Sequence, residues 1–138
     1  MGGVLAIDYG TKKCGFAATD ALRIAREPLG VLRHGGREDT LLAHLARLLD
    51  ERDVATVVVG VLLDPDGRAG AQAQVTLEFV ERLRTRFPDI DVRVHDERLT
   101  TKEAESRLRE RGWTGRAIRA ERDAWSALVL LEDWLTSG

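Results

Sequence analysis

Three acidic residues stand where a chain can do chemistry. Asp8 ends the short apolar run Val4-Leu5-Ala6-Ile7 and is followed by Tyr9-Gly10-Thr11, so the pattern predicts a buried strand that delivers a carboxylate at its C-terminal end. Glu97 occupies the matching place after the alternating Asp91-Val92-Arg93-Val94-His95. Asp123 precedes a long apolar stripe and is expected near the start of the last helix. In open α/β sheets, ligands gather outside the carboxyl ends of parallel strands. If the two strands are neighbours or nearly so, Asp8 and Glu97 face one crevice and Asp123 leans in as a third acid. Hard oxygen donors of this kind suit Mg²⁺ or Mn²⁺ better than zinc. His34, His44 and His95 are scattered and Cys14 stands alone, so no Cys/His set offers a zinc site. Paired divalent ions on carboxylates can hydrolyse phosphodiesters, one preparing the attacking water and the other stabilising the leaving oxygen. For any one of these acids, capping a helix or meeting solvent is the commoner use, and spacing alone leaves both readings open.

The elements that must position these acids can be read from apolar periodicity. After the Gly10 turn, Gly15 to Asp20 is expected to pair back as an antiparallel strand, with a third strand around Gly30 to Arg33. Leu41, Leu42, Leu45, Leu48 and Leu49 predict a helix from Asp39, read as its N-cap, to about Arg52. The β-branched run Thr56-Val57-Val58-Val59, stopping at Gly60, predicts a strand buried on both faces. Val75, Phe79, Leu83 and Phe87 predict a second helix, closed by Pro88-Asp89. Thr100 with Glu103 reads as a capping box for a helix from Thr101 to about Glu110. Ala124, Leu128, Leu131 and Leu135 mark the last helix, from about Arg119 to Leu135. Three strands, then helix, strand, helix, strand, helix and helix imply an α/β sandwich with a mixed sheet.

Acids that work on a polyanion need cations nearby to grip it. Arg107, Arg109, Arg111, Arg116, Arg119 and Arg122 crowd the stretch before Asp123, and the planar guanidinium makes two parallel bonds to phosphate. A solvated helix face is the competing account. Arg116 and Arg119 are taken as substrate contacts, together with Thr11, Lys12 and Lys13 after Asp8, Arg68 in the Gly67-Arg68-Ala69-Gly70 loop, and Arg98 beside Glu97. That loop precedes a helix start, where unpaired amides favour an anion. Gln72 and Gln74 offer hydrogen bonds to sugar or base edges, and Trp113 either stacks on a base or pegs the sheet. Trp125 and Trp134 are read as core or as a self-association face.

The chain's 138 residues fit a single domain, 43% of them are hydrophobic, and 32% are charged. A formal charge of −2 excludes a uniformly basic nucleic-acid coat without excluding a local basic patch. One cysteine, no basic leader and no apolar run of spanning length lead to an expectation of a cytoplasmic protein without a membrane.

Ile7-Asp8-Tyr9-Gly10-Thr11-Lys12, Val58-Val59-Gly60 and, above all, His95-Asp96-Glu97-Arg98-Leu99-Thr100-Thr101-Lys102-Glu103-Ala104-Glu105 resemble the YqgF (RuvX) family. The stretch Asp123-Ala124-Trp125-Ser126-Ala127-Leu128-Val129-Leu130-Leu131 is similar to its closing motif, so the resemblance covers essentially the whole chain. It implies an RNase H-like α/β fold, with a mixed central sheet and helices on both faces, in a single domain. It implies a nuclease dependent on Mg²⁺ or Mn²⁺, with Asp8, Glu97 and Asp123 at the acidic catalytic positions. The substrate it implies is pre-16S rRNA or, as an alternative, a Holliday junction. Partners are then RNA, or branched or single-stranded DNA, bound by a monomer or a homodimer. Two departures stand out: Lys13 and Cys14 where the family often has Arg, and Gly60-Val61-Leu62 without the usual proline. Asp-x-Gly-Thr also resembles the phosphate loop of actin-like ATPases and sugar kinases, which fold two such domains where this chain has length for one. A noncatalytic RNA-binding factor on the same scaffold is the third reading.

Overall fold

The computed structural model describes residues 2–137. The elements run β1 (Gly3–Asp8), β2 (Lys13–Thr19), β3 (Arg26–Arg33), α1 (Glu38–Glu51), β4 (Val54–Val61), α2 (Ala71–Arg86), β5 (Asp91–Asp96), α3 (Thr100–Glu110) and α4 (Gly115–Ser137). They follow the order expected from the sequence. The sheet is ordered β3-β2-β1-β4-β5. β1, β4 and β5 pair in parallel, and β2 pairs antiparallel with β1 on one side and β3 on the other, which makes the sheet mixed.

Apolar alternation explains the layering. In β1 and β4, Leu5, Ile7, Val57 and Val59 point to one face, where Leu41, Leu45 and Leu48 of α1 and Phe79, Val80 and Leu83 of α2 bury them. Val4, Ala6 and Val58 point to the other face and meet Ala127, Leu128, Leu130 and Leu131 of α4. The continuous valine run of β4 is therefore two half-patterns superposed, the mark of a strand covered on both sides. Each buried leucine or valine contributes roughly 1.5–3 kcal/mol relative to exposure.

The α4 face is lined with small residues, which lets the helix approach closely. A Cβ on Gly15 of β2 would lie 2.1 Å from the carbonyl oxygen of Asp123. Any side chain there would lift α4 off the sheet, so Gly15 fixes the depth at which Asp123 sits. α3 packs on α4 through the buried Ala104 and Leu108.

Several local expectations are corrected. Asp39 lies inside the first turn of α1; Arg37 is the N-cap, and Asp39 Oδ1 accepts only from the next amide, Thr40, at 2.9 Å. Thr100 is not a capping-box residue, because Leu99 is the N-cap of α3 and the Thr100 hydroxyl donates to the Glu97 carbonyl instead, at 2.9 Å. Val75 is exposed on α2, whose buried face is Ala73, Thr76, Phe79, Val80 and Leu83. α4 begins at Gly115, four residues earlier than its leucine stripe indicates, because Ile118 is also buried and the intervening Arg and Ala residues are good helix formers. Asp123 therefore projects from the third turn of α4 and not from its start.

Candidate active site

Asp8 is the last residue of β1, and Glu97 follows the last residue of β5. Their strands are separated by one other, β4, and the residue of β4 lying between them is Gly60, paired with His95. A Cβ on Gly60 would stand 2.4 Å from Glu97 Oε2 and 3.0 Å from Glu97 Cβ. The missing side chain is what allows Glu97 to fold back over β4 and meet Asp8. The turn that aims it is tight: the Glu97 amide donates to Val61 O at 3.1 Å, and the Thr100 amide and hydroxyl both donate to the Glu97 carbonyl.

The loop carrying Asp8 is fixed on both sides. Tyr9 stacks on Phe79 with ring centroids 4.1 Å apart. Arg82, beside Tyr9, is held by a bidentate bond to Glu38, with Nε–Oε2 and Nη2–Oε1 both 2.8 Å. On the other side His34 is buried. Its Nδ1 accepts from the Gly36 amide at 3.1 Å, which leaves the proton on Nε2 to donate to Gly10 O at 2.9 Å. The Gly35 amide donates to Lys12 O at 2.9 Å, so the segment after β3 staples the turn that follows Asp8. Sequence reasoning passed over His34 as one of three scattered histidines, and no local pattern could have found it, since its partner is 24 residues away.

Charge in this crevice is poorly satisfied. Burial, and then the negative charge of Asp123, push the Asp8 carboxyl up to about 6, against the opposing pull of Glu97, Lys13 and Arg122. Burial and then Asp8 itself push Glu97 up to about 8, with Asp96 and Asp123 adding to it. The two carboxyls are coupled, so between these values, near neutral pH, Glu97 holds its proton beside ionised Asp8. Asp123 faces the pair from α4. Lys13 Nζ lies 2.9 Å from its Oδ2. The alignment is not that of a hydrogen bond, and this buried oxygen has no hydrogen-bond partner among the described residues.

Among the described residues, no three His, Cys, Asp or Glu side chains are grouped so as to hold one ion. The arrangement is instead a carboxyl pair sharing a proton, with a third carboxylate turned toward a lysine. This donor set fits Mg²⁺ or Mn²⁺, which are commonly held by one or two carboxylates and keep several waters. Asp8 and Glu97 would hold such an ion, and it would relieve the like charge that raises both. Cys14 takes no part: burial pushes its thiol up to about 12. His95 points elsewhere, its Nε2 2.6 Å from Asp133 Oδ2.

The expected phosphate contacts separate into two groups. Lys13 is engaged with Asp123. Arg98 Nε is bound to Asp96 Oδ2 at 2.5 Å, and Arg68 lies 3.5 Å from Asp66. Beside the helix start at Gly70 stands the carboxylate of Asp64, whose Oδ1 would be 3.1 Å from a Cβ there, so an anion would meet a negative neighbour. Within the arginine-rich stretch, Arg107 pairs with Glu103 and Glu132, Arg109 and Arg122 pair with Glu105, and Arg111 lies over the Trp125 ring at 4.7 Å. Thr11, Lys12, Arg116 and Arg119 are exposed, and the three cations have no ion-pair partner among the described residues. Trp125 and Trp134 pack against the α4 face of the sheet. No helix among the described residues is long and apolar enough to cross a membrane.

The profile of the RuvX family, described as a Holliday junction resolvase, matches residues 2–137. The chain is 47% identical over 132 residues to a protein of Anaeromyxobacter sp. (strain Fw109-5), provisionally named a pre-16S rRNA nuclease; the match covers 95% of this chain and 94% of that relative. In fold it is similar to the fowlpox virus Holliday junction resolvase, with a TM-score of 0.59 at 12% identity over 99% of both chains. It is also similar to T. thermophilus RuvC in complex with a Holliday junction, with a TM-score of 0.57 at 15% identity over 100% of this chain and 97% of that one. The fold shared with both is RNase H-like.

Proposed function

Since the chain belongs to the RuvX family, we propose that it is a metal-dependent nuclease that hydrolyses phosphodiester bonds at the Asp8–Glu97–Asp123 crevice and acts in 5′-end maturation of pre-16S rRNA. The observation that carries this reading is the half-buried carboxyl pair. Asp8 and Glu97 are held together by two strand ends and an intervening glycine, at a cost in desolvation and like charge that no structural role requires.

Asp8 and Glu97 would hold the divalent cation, which when bound supplies charge stabilisation for the scissile phosphate and lowers the pKa of attacking water. Glu97 must give up its proton to serve as a ligand, so loading releases a proton. Asp123, on a different element, faces the same space and would orient water or complete the ligand set once Lys13 is drawn away. A nucleic-acid phosphate near Lys13 competes with Asp123 for that ammonium. Lys12 and Thr11, exposed on the stapled turn, would meet the backbone next to the reacting phosphate, and Arg116 and Arg119 would meet it farther along.

The test is cleavage of end-labelled single-stranded RNA, pre-16S rRNA fragments and a four-way DNA junction with Mg²⁺ or Mn²⁺, comparing wild type with Asp8→Asn. Metal-dependent cuts lost in the variant support the reading, and preference for the rRNA fragments supports maturation. Preference for the junction favours the second reading, resolution, to which the family description points. Binding without cleavage, unchanged in Asp8→Asn, would leave a noncatalytic RNA-binding factor.

A further inference from the structure

Beside Glu97 lies an open cleft of about 700 Å³, walled by the segment after β4 and the turn before α3. Its apolar walls are Leu62, Leu63, Pro65, Ala71 and Leu99, with Gln72 also facing it. Leu62 is 52% exposed and Leu99 is 75% exposed. Leu99 is held in the left-handed region, at φ 69° and ψ 2°, a conformation unfavourable for a residue with a side chain. It is locked there by the first turn of α3, whose Glu103 amide donates to Leu99 O at 3.0 Å. A second, smaller recess of about 390 Å³ shares Leu62 and Leu99 with the first and is bounded by Glu97, Lys102 and Glu105, whose carboxylate is already paired with Arg109 and Arg122. The two form one groove with an apolar lobe and a charged lobe.

Charge assigns the lobes. Asp64 lines the apolar lobe and Arg98 there is neutralised by Asp96, so that end repels phosphate. Lys102, exposed and without an ion-pair partner among the described residues, marks the other end next to Glu97. A chain whose phosphate lies at Glu97 would place the adjoining base in the apolar lobe. There leucine and proline surfaces cover its faces, and Gln72 can hydrogen-bond its edge.

We propose that the Leu62–Leu99 cleft is a nucleobase subsite: it takes one unstacked, unpaired base adjacent to the scissile phosphate and so selects single-stranded or splayed substrate. This rests on the nuclease reading and deepens it. A duplex base cannot enter the cleft without leaving its stack.

The experiment scans a single abasic residue through an RNA that the protein cleaves, with wild type and Leu99→Asn. Asparagine tolerates the left-handed backbone, so the variant removes the apolar wall without unfolding the turn. Wild type is expected to lose about tenfold in kcat/KM when the abasic residue falls at one position flanking the cut. Leu99→Asn should cleave intact RNA about as slowly and be indifferent to the abasic scan. Binding of the same RNAs to Asp8→Asn and to Asp8→Asn/Leu99→Asn, followed by fluorescence anisotropy, gives a readout independent of cleavage. If wild type cleaves but no abasic position matters, or Leu99→Asn matches wild type, the subsite is overturned and the nuclease reading stands. If wild type does not cleave, the nuclease reading fails, and the abasic scan of binding still decides the subsite.

Discussion

The crevice at the end of the sheet and the α3–α4 helix pair carry charge in opposite ways. Along α3 and α4, arginines and glutamates answer one another: Arg107 spans Glu103 and Glu132, and Glu105 receives both Arg109 and Arg122. In the crevice, three acids share little more than one lysine, one proton and each other's repulsion. The first region is dense in charge and nearly silent energetically, since exposed pairs are worth about 0–1 kcal/mol each. The second is sparse and strained. Unsatisfied charge, not abundant charge, distinguishes the candidate site here.

The contrast breaks most severely if Glu97 is pushed out of the crevice. Gly60→Ala would place a methyl group at 2.4 Å from Glu97 Oε2. The carboxylate is expected to swing toward solvent, leaving the fold intact and lowering cleavage by about 10²-fold or more, as misplacement of a reacting group by ~1 Å does. Gly60→Ala with undiminished cleavage would show that Glu97 is not needed beside Asp8.

Next in size is the pH dependence of stability without metal. Asp8 and Glu97 titrate higher in the fold, at about 6 and about 8, than in the unfolded chain, so the folded state binds more protons. Their stabilising contribution is fully present below the ordinary carboxylate range and is lost as pH rises through the folded values. In EDTA the thermal midpoint should fall by several degrees between about pH 5 and about pH 9. Glu97→Gln should remove most of that fall, and Mg²⁺ should oppose it at the alkaline end. A midpoint that rises over this range in wild type would contradict the assignment.

A smaller effect concerns Lys13, the one cation within the crevice's own ion pairs among the described residues. Lys13→Met leaves Asp123 Oδ2 buried beside two other acids. Because the lysine is 36% exposed, the expected loss is held to about 1–2 kcal/mol, read by urea unfolding without metal. Saturating Mg²⁺ should recover part of it. A variant as stable as wild type would mean that the pair contributes nothing.

Much of this contrast was visible before the structure, and the part that was not has a physical reason. The order of elements along the chain and the strand-end placement of Asp8 and Glu97 follow from apolar patterning, because a buried β-branched run stopping at a glycine has few alternatives, whereas the insertion of β4 between their strands is a property of the sheet that no local pattern displays. Gly60 itself was read only as a strand end, although its role is steric: it is the empty position between two carboxylates on either side of β4. Caps were misread at Asp39 and Thr100 because side-chain oxygens near a helix start can bond other backbone groups. Thr100 does so, and tightens the turn of Glu97. The arginine stretch read as a phosphate grip because sequence displays a cation's neighbours along the chain and hides those across helices. Glu132 reaches Arg107 over 25 residues, and Glu105 reaches Arg122 over 17.

The smallest effects test that last point directly, by deleting one arginine of each kind. Arg109 is held by Glu105, whereas Arg119 is exposed and has no ion-pair partner among the described residues. Arg109→Gln should change stability by less than ~0.5 kcal/mol and leave nucleic-acid affinity within about twofold, because the pair is largely screened and its arginine is already committed. Arg119→Gln should be equally mild for stability, yet weaken RNA binding severalfold and reduce the salt slope, log Kd against log salt, by up to about one. The slope is the informative quantity, since a lost phosphate contact releases one fewer counterion whatever the sequence of the RNA. Equal slopes for the two variants would mean that ion pairing does not sort these arginines, and that α4 is not where the backbone is gripped. A larger loss for Arg109→Gln would mean that Glu105 gives up its partner to the nucleic acid, making the paired helix surface the reserve and the carboxylate crevice the only region whose charge is fixed by the fold.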